Sequence, residues 1–212
     1  MAASYTAAMN GGASLAALCV ELAVYLDGRE PWTDALTALA EASEFDPGDE
    51  VPPIELHLDA LDGSVAVVAA VRDAASALRW RQNQSYSDTA FLPSYAYSEL
   101  VGPSGHARHD RYAIGLLYLA PRTFYPAHAH PAEEAYHVLS GASEWWQGEP
   151  AGAASAGSAA DASALRAPGA RVLHPSGVMH AMRSGSRPLL ALYIWRGDIG
   201  VAAQLAESTE RL

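Results

Sequence analysis

Residues Tyr125 to Gly141 read YPAHAHPAEEAYHVLSG and hold most of the chemistry visible in the chain. His128 and His130 stand two apart, so on an extended strand both side chains face one side. Glu134 and Tyr136 are likewise two apart and share a face on the next strand, with Pro131 in the turn between the pairs. Two imidazoles and one carboxylate on facing strands supply three ligands and leave coordination positions open. That set suits one divalent transition metal ion: Fe, Mn, Co, Ni or Zn. A second stretch, Gly169 to His180 (GARVLHPSGVMH), reads as a strand running into a Pro–Ser–Gly turn that returns His180 to the interior as a fourth ligand. Two phenols stand beside this centre, Tyr136 on the Glu134 face and Tyr125 just before the histidine pair. A nearby cation favours phenolate over phenol, lowering a pKa that starts near ~10. A tyrosinate at a metal can act as general base toward a carbon acid. Of the other histidines, His137 is expected to face away from Glu134. His174 has the parity of the ligands but precedes the turn and is the weaker candidate. His57, His106 and His109 read as ordinary surface residues.

The elements that must position these groups change character along the chain. Leu15, Leu18, Leu22 and Tyr25 recur at helical spacing, with Gly28 as a stop. Pro31 precedes a second helix with Leu36 and Leu39 on its apolar side. The acidic, Pro-rich stretch Phe45 to Ile54 reads as a loop. Ser64 to Asn83 reads as a longer helix, with Val68, Val71, Ala75 and Leu78 along one face. Residues 1–85 are therefore expected to form a helical region that packs on the remainder, closing a pocket or making a homodimer contact. Tyr86 to Gly105 has no clear period. Tyr112 to Leu119, Glu134 to Leu139, Arg171 to His174 and Leu189 to Trp195 are short aromatic or β-branched runs bounded by Gly and Pro, the pattern of an all-β barrel or sandwich over 86–212. Ala151 to Ala164, almost entirely Ala, Gly and Ser, reads as a flexible connection between two strands.

Bulk properties exclude some classes of partner. The chain has 212 residues and a formal charge of −11, and its 13 basic residues are all arginine. An acidic surface argues against nucleic acid and against an anionic membrane. Half the residues are hydrophobic, enough for a core. The single cysteine, Cys19, can form no internal disulfide and reads as a small buried hydrophobe. The apolar run Ala13 to Leu26 is interrupted by Glu21, lacks a preceding basic residue and is too short to span a bilayer, so a cytoplasmic location is expected.

The two motif stretches resemble the conserved pair of the cupin superfamily. His128, His130, Glu134 and Gly141 match the first motif; Gly169, Pro175, Gly177 and His180 match the second. The resemblance implies a mainly β, jelly-roll-like cupin barrel. Two positions depart from it: Arg122 stands where the first motif usually opens with Gly, and Ser184 where the second usually closes with Asn. Neither is a ligand. A narrower likeness follows from the helical N-terminal region, from the order His-x-His-x-x-x-Glu-x-Tyr and from the segment LYIWRGDIG, Leu192 to Gly200. Together these resemble the cupin-type dimethylsulfoniopropionate (DMSP) lyases. That likeness implies a metal-bound substrate bearing a carboxylate and a sulfonium. The substrate loses an α-proton to tyrosine and releases dimethyl sulfide, leaving acrylate. It makes Tyr136 the base and gives Tyr125 a part in binding or deprotonation. A sulfonium suits an aromatic wall, for which Trp195, Tyr118 and Trp80 are candidates, Trp195 foremost. A metal-dependent dioxygenase, a sugar-phosphate isomerase and a non-enzymatic binding cupin are the competing readings. The scarcity of arginine around the motifs weakens the isomerase.

Overall fold

The run Tyr112–Leu119 is buried along its entire length, as befits a central strand covered on both faces. The structure, a computed structural model, describes residues 2–42, 44–46, 52–63, 65–86, 90–150 and 163–206. Its strands are β1 (Tyr95–Gly102), β2 (Ala107–Arg108), β3 (Tyr112–Leu119), β4 (Phe124–Ala129), β5 (Glu133–Ser140), β6 (Ser143–Pro150), β7 (Ala164–Arg166), β8 (Arg171–His174), β9 (Val178–Ser184), β10 (Leu189–Arg196) and β11 (Gln204–Leu205). They form two sheets, ordered β2-β1-β3-β10-β5-β8 and β11-β4-β9-β6-β7. This is the expected cupin architecture. Inward residues of the first sheet, among them Tyr95, Leu117, Leu119 and Val138, pack against Tyr125, Trp145 and Met182 of the second.

The outer face of the first sheet is covered by helices α1 (Ala2–Leu26), α2 (Thr33–Ala40) and α3 (Val65–Asp73). Leu15, Leu18, Leu22 and Leu26 of α1 share one buried cluster with Leu116, Leu190, Leu192 and Ile194. Each fully buried leucine contributes roughly 1.5–3 kcal/mol. Cys19 lies buried in the same cluster. Among the described residues, no helix is long and apolar enough to cross a membrane.

Several expectations need correcting. The helix expected over Ser64 to Asn83 ends at Asp73, with Ser64 itself outside the described residues. Residues beyond it are drawn into the edge of β1, where Arg81 and Tyr97 exchange backbone hydrogen bonds of 2.8 and 2.9 Å. Between α2 and α3 the described chain is irregular apart from a short 3-10 turn, Leu58–Ala60. The patternless stretch Tyr86 to Gly105 contains β1. His106 is buried, with its ring nitrogens against the Asp46 carbonyl and the Arg79 amide. The low-complexity segment lies outside the described residues from 151 to 162, and Ala164 already belongs to β7.

Both departures from the cupin motifs have a local account. Arg122 adopts φ 59°, the left-handed region that glycine occupies without strain. Its amide bonds the Gly185 carbonyl at 2.8 Å, which holds the turn before β4. Ser184 takes over a side-chain bridge: its hydroxyl donates to the Ala120 carbonyl at 2.6 Å and accepts from the Thr123 amide at 2.9 Å.

One buried ion cluster joins the helical region to the barrel. Glu30, between α1 and α2, accepts from His137 Nε2 on β5 at 2.9 Å and from Arg171 on β8 at 2.8 and 3.2 Å. The Trp32 amide adds a further bond at 3.0 Å. Burial pushes the Glu30 carboxyl up, but His137, Arg171 and the Trp32 amide outweigh it and hold the group down at about 2. Its contribution to stability is therefore complete above the unfolded value near 4.5 and is lost as pH falls toward about 2. Glu30→Gln is expected to lower unfolding stability at neutral pH by about 2–4 kcal/mol and to flatten the acid slope across that window. Urea unfolding at several pH values would read both effects. A variant with the parent's slope would contradict the assignment.

Candidate metal centre and its cavity

Strand register gathers the inward-facing residues into rungs across the first sheet. One rung runs Glu99 (β1), Gly115 (β3), Tyr193 (β10), Tyr136 (β5). The next carries Ala113, Trp195, Glu134 and His174. The other sheet supplies His128 from β4, directly paired with His180 of β9. His130 follows β4 immediately. The Pro–Ser–Gly turn is tied to this spot: Gly177, at φ 73°, donates its amide to the His130 carbonyl at 2.9 Å. The turn therefore delivers His180 next to His130.

The ligand atoms of His130, Glu134 and His180, all buried, lie within 4.8 Å of one another. Glu134 Oε2 is 3.0 Å from His130 Nε2 and 3.3 Å from His180 Nε2. His128 stands beside this group, its ring 4.1 Å from that of His180 and 6.3 Å from that of His130. All three imidazoles are oriented in one way. Nδ1 of His128, His130 and His180 sits 2.8, 3.0 and 2.9 Å from the carbonyls of Pro126, Ala132 and Val178. A carbonyl can only accept, so each Nδ1 carries a proton, which leaves Nε2 as the nitrogen able to ligate. This is how a protein prepares histidines for a cation. Burial, with His180 beside it, pushes His128 well below its ordinary value. Burial pushes the Glu134 carboxyl up, yet His130 and His180 together hold it well below the carboxylate range. Imidazole nitrogens and a carboxylate converging in this way fit a divalent transition metal, and this is a candidate metal-binding site.

Two aromatic groups hold the carboxylate's surroundings. Trp195 donates its indole N–H to Glu134 Oε1 at 2.6 Å and stacks on His130 with ring centres 4.0 Å apart. It was expected as a substrate wall; it lines the cavity and also braces the centre. Tyr136 adjoins Glu134, and burial together with that carboxylate raises its phenol well above the ordinary value. Tyr125 stacks flat on His128, 4.1 Å between ring centres, and its hydroxyl meets that of Tyr86 at 2.8 Å. His174 is buried against His180, ring centres 4.0 Å apart, and burial with His180 beside it pushes its pKa down to about 2. Among the described residues, neither ring nitrogen of His174 has a hydrogen-bond partner.

Tyr118 is not part of this site. It projects from the outer face of β3 into the helix-covered cluster, bonds the His57 amide through its hydroxyl at 3.1 Å and packs edge-on against Trp80. Trp80 lies in the same outer cluster. Both are removed from the substrate wall.

A cavity of about 210 Å³ opens over His128, Glu134, Tyr125, Tyr136 and Trp195 and extends to Tyr193, Tyr97 and Glu99. Ile199, Gly200, Ala202 and Ala203 also line it. Asn83 and Ser85 tether that segment through the Ala203 carbonyl at 3.0 and 3.1 Å. Among the described residues the lining holds two carboxylates and no arginine. Tyr97, Glu99 and Tyr193 are additions to the residues picked from sequence. Their signal was period-2 spacing, Tyr95–Tyr97–Glu99 and Tyr193–Trp195, half-hidden in stretches without polar alternation.

Residues 37–191 match the dimethylsulfoniopropionate lyase family. The chain is 33% identical over 189 residues to the dimethylsulfoniopropionate lyase DddQ of Ruegeria pomeroyi, covering 85% of this chain and 88% of that one. It superposes on the crystal structure of DddQ from the same organism with TM-score 0.69 and 29% identity, over 91% of this chain and 96% of the other. A crystal structure from work on the DMSP lyases RdDddP and RnDddQII shares the fold at TM-score 0.71 and 23% identity, over 93% and 100% of the two chains.

Proposed function

The chain belongs to the DMSP lyase family and is a carbon–sulfur lyase; from that premise we propose that it is metal-dependent and eliminates dimethyl sulfide from DMSP with Tyr136 as general base. The observation that carries this reading is the convergence of His130, Glu134 and His180, with His128 beside them and each imidazole fixed through Nδ1 by a backbone carbonyl. His128 joins His130, Glu134 and His180 as the proposed ligand set. When bound, a divalent cation would polarise the substrate carboxylate, acidify the α-carbon and favour the phenolate of Tyr136.

The residues of the chain perform the remaining tasks. The substrate is an anion at one end, and among the described residues no arginine lines the cavity to receive it, so its carboxylate belongs at the histidine-lined end. Trp195 fixes the Glu134 carboxylate, and the flat stack of Tyr125 fixes His128. Tyr136 Oη accepts the α-proton. The electron pair of the Cα–H bond forms the double bond of acrylate, and the Cβ–S pair leaves with sulfur. The departing dimethyl sulfide is neutral, so no general acid is needed. Tyr125, its hydroxyl held by Tyr86, shapes the wall beside the reacting carbon.

Purified protein loaded separately with Fe(II), Mn(II), Co(II), Ni(II) and Zn(II) and given DMSP is expected to release headspace dimethyl sulfide with at least one ion and to lose that activity on chelation. Silence with all five metals would end the lyase assignment for this substrate.

A further inference from the structure

We propose that Glu99 recognises the onium end of the substrate, opposite the metal centre; the inference rests on the zwitterionic substrate of the preceding reading. Glu99 and Tyr136 occupy one rung of the sheet, separated by β3 and β10. Three inter-strand steps of about 4.8 Å separate their backbones by ~14 Å. Both residues line the one cavity, so a single small ligand held there meets both.

The middle of that rung is shaped to keep the cavity aromatic. Between Glu99 and Tyr193 stands Gly115, and a Cβ there would fall 2.6 Å from Tyr193 Oη. The absence of a side chain lets the Tyr193 phenol cross β3 toward Glu99. Tyr97 lines the same end of the cavity. Phenol faces and oxygens surrounding a carboxylate suit a soft, weakly hydrated cation such as a dimethylsulfonium or trimethylammonium group.

Glu99 is also fixed in place. The Ser104 amide donates to its Oε1 at 2.7 Å, and the Gly105 amide adds a second bond. The turn is built to admit the carboxylate, since a Cβ on Gly102 would fall 2.4 Å from that same oxygen. Arg81 and Arg108 lie within charge range, and Arg108 also donates to the Pro103 carbonyl. Neither lines the cavity. Burial still outweighs them and raises the Glu99 carboxyl above its usual range, so a ligand cation would relieve a charge that the protein leaves incompletely compensated.

The competing role is a staple for the 102–105 turn, and ligands of similar shape, one cationic and one neutral at that end, separate the two. β-Alanine betaine carries the onium but is a poor substrate for elimination; isocaproate places a neutral CH at the same position. Calorimetry on metal-loaded protein is expected to show the betaine binding at least about tenfold tighter than isocaproate. Glu99→Gln, which keeps an acceptor oxygen for the Ser104 amide, should abolish that preference while leaving isocaproate affinity unchanged. With DMSP it should raise KM roughly ten- to a hundredfold and change kcat by less than about threefold. Parallel weakening of both ligands, or an unchanged KM, would assign Glu99 to the turn alone. If Glu99→Gln does not fold, equal affinities of the parent protein for the two ligands would overturn the inference. These binding readouts need no turnover. Failure of dimethyl sulfide release would therefore strike the lyase reading, whereas loss of charge preference would strike only Glu99.

Discussion

Glu134→Gln is expected to cut divalent metal affinity at least ~100-fold and dimethyl sulfide release by ~1000-fold or more. The carboxylate is the only anionic group in the three-residue cluster, and its ionised form is held there by His130 and His180. An amide keeps the volume and can still accept from Trp195 Nε1, so the barrel should fold. What disappears is the negative charge that a divalent ion needs and the Lewis-acid assistance that depends on that ion, an effect of several kcal/mol. Each 1.36 kcal/mol of barrier is a tenfold change in rate. Metal content after dialysis and gas release should fall together. A variant that retains stoichiometric metal and full activity would place the centre elsewhere.

Tyr136→Phe should show the complementary pattern, with metal retained and kcat reduced by about 10²–10⁴, the range for a general base. The ring can stay packed against Trp145, whose centre lies 5.0 Å away, so folding should survive. Because burial and Glu134 hold the phenol above its ordinary value, the base form is scarce at neutral pH. The parent protein should therefore gain activity as pH rises, up to the point at which the metal-bound enzyme's phenol has titrated. That alkaline limb should be missing from the residual rate of the variant. Tyr125→Phe is expected to cost less, since the Tyr125 hydroxyl is already engaged with Tyr86 and its ring supports His128. If Tyr136→Phe turns over normally, or loses its metal as Glu134→Gln does, the base must be sought in another residue.

The candidate metal ligands are legible in the sequence because coordination chemistry demands specific residue types at local spacings. His128, His130 and Glu134 fall within one short stretch of chain that passes from β4 in one sheet to β5 in the other, and the Pro–Ser–Gly turn before His180 carries its own geometric instruction. Tyr136 was legible for the same reason, since a strand places alternate residues on one face. The apolar runs at Tyr112–Leu119 and Arg171–His174 marked their strands to the residue.

Parity, however, is relative. It says which residues of one strand share a face, but not which face meets the cavity, and β3 is buried on both sides with no polar residue to mark the difference. Tyr118 was lost to the outer cluster in this way. The partners of Glu30 could not be read at all, because His137 and Arg171 are more than 100 positions distant, and β1 was hidden by its bulge and its mixed composition. The chain's own order determined the cupin frame, the candidate ligand residues and the phenol beside them, since these follow from short-range spacing. Register between strands remote in sequence decided the rest. It set Glu99 and Tyr193 across from Tyr136, turned Trp195 onto Glu134 and fastened the helices to the barrel. Such alignments depend on packing energies summed over the whole core.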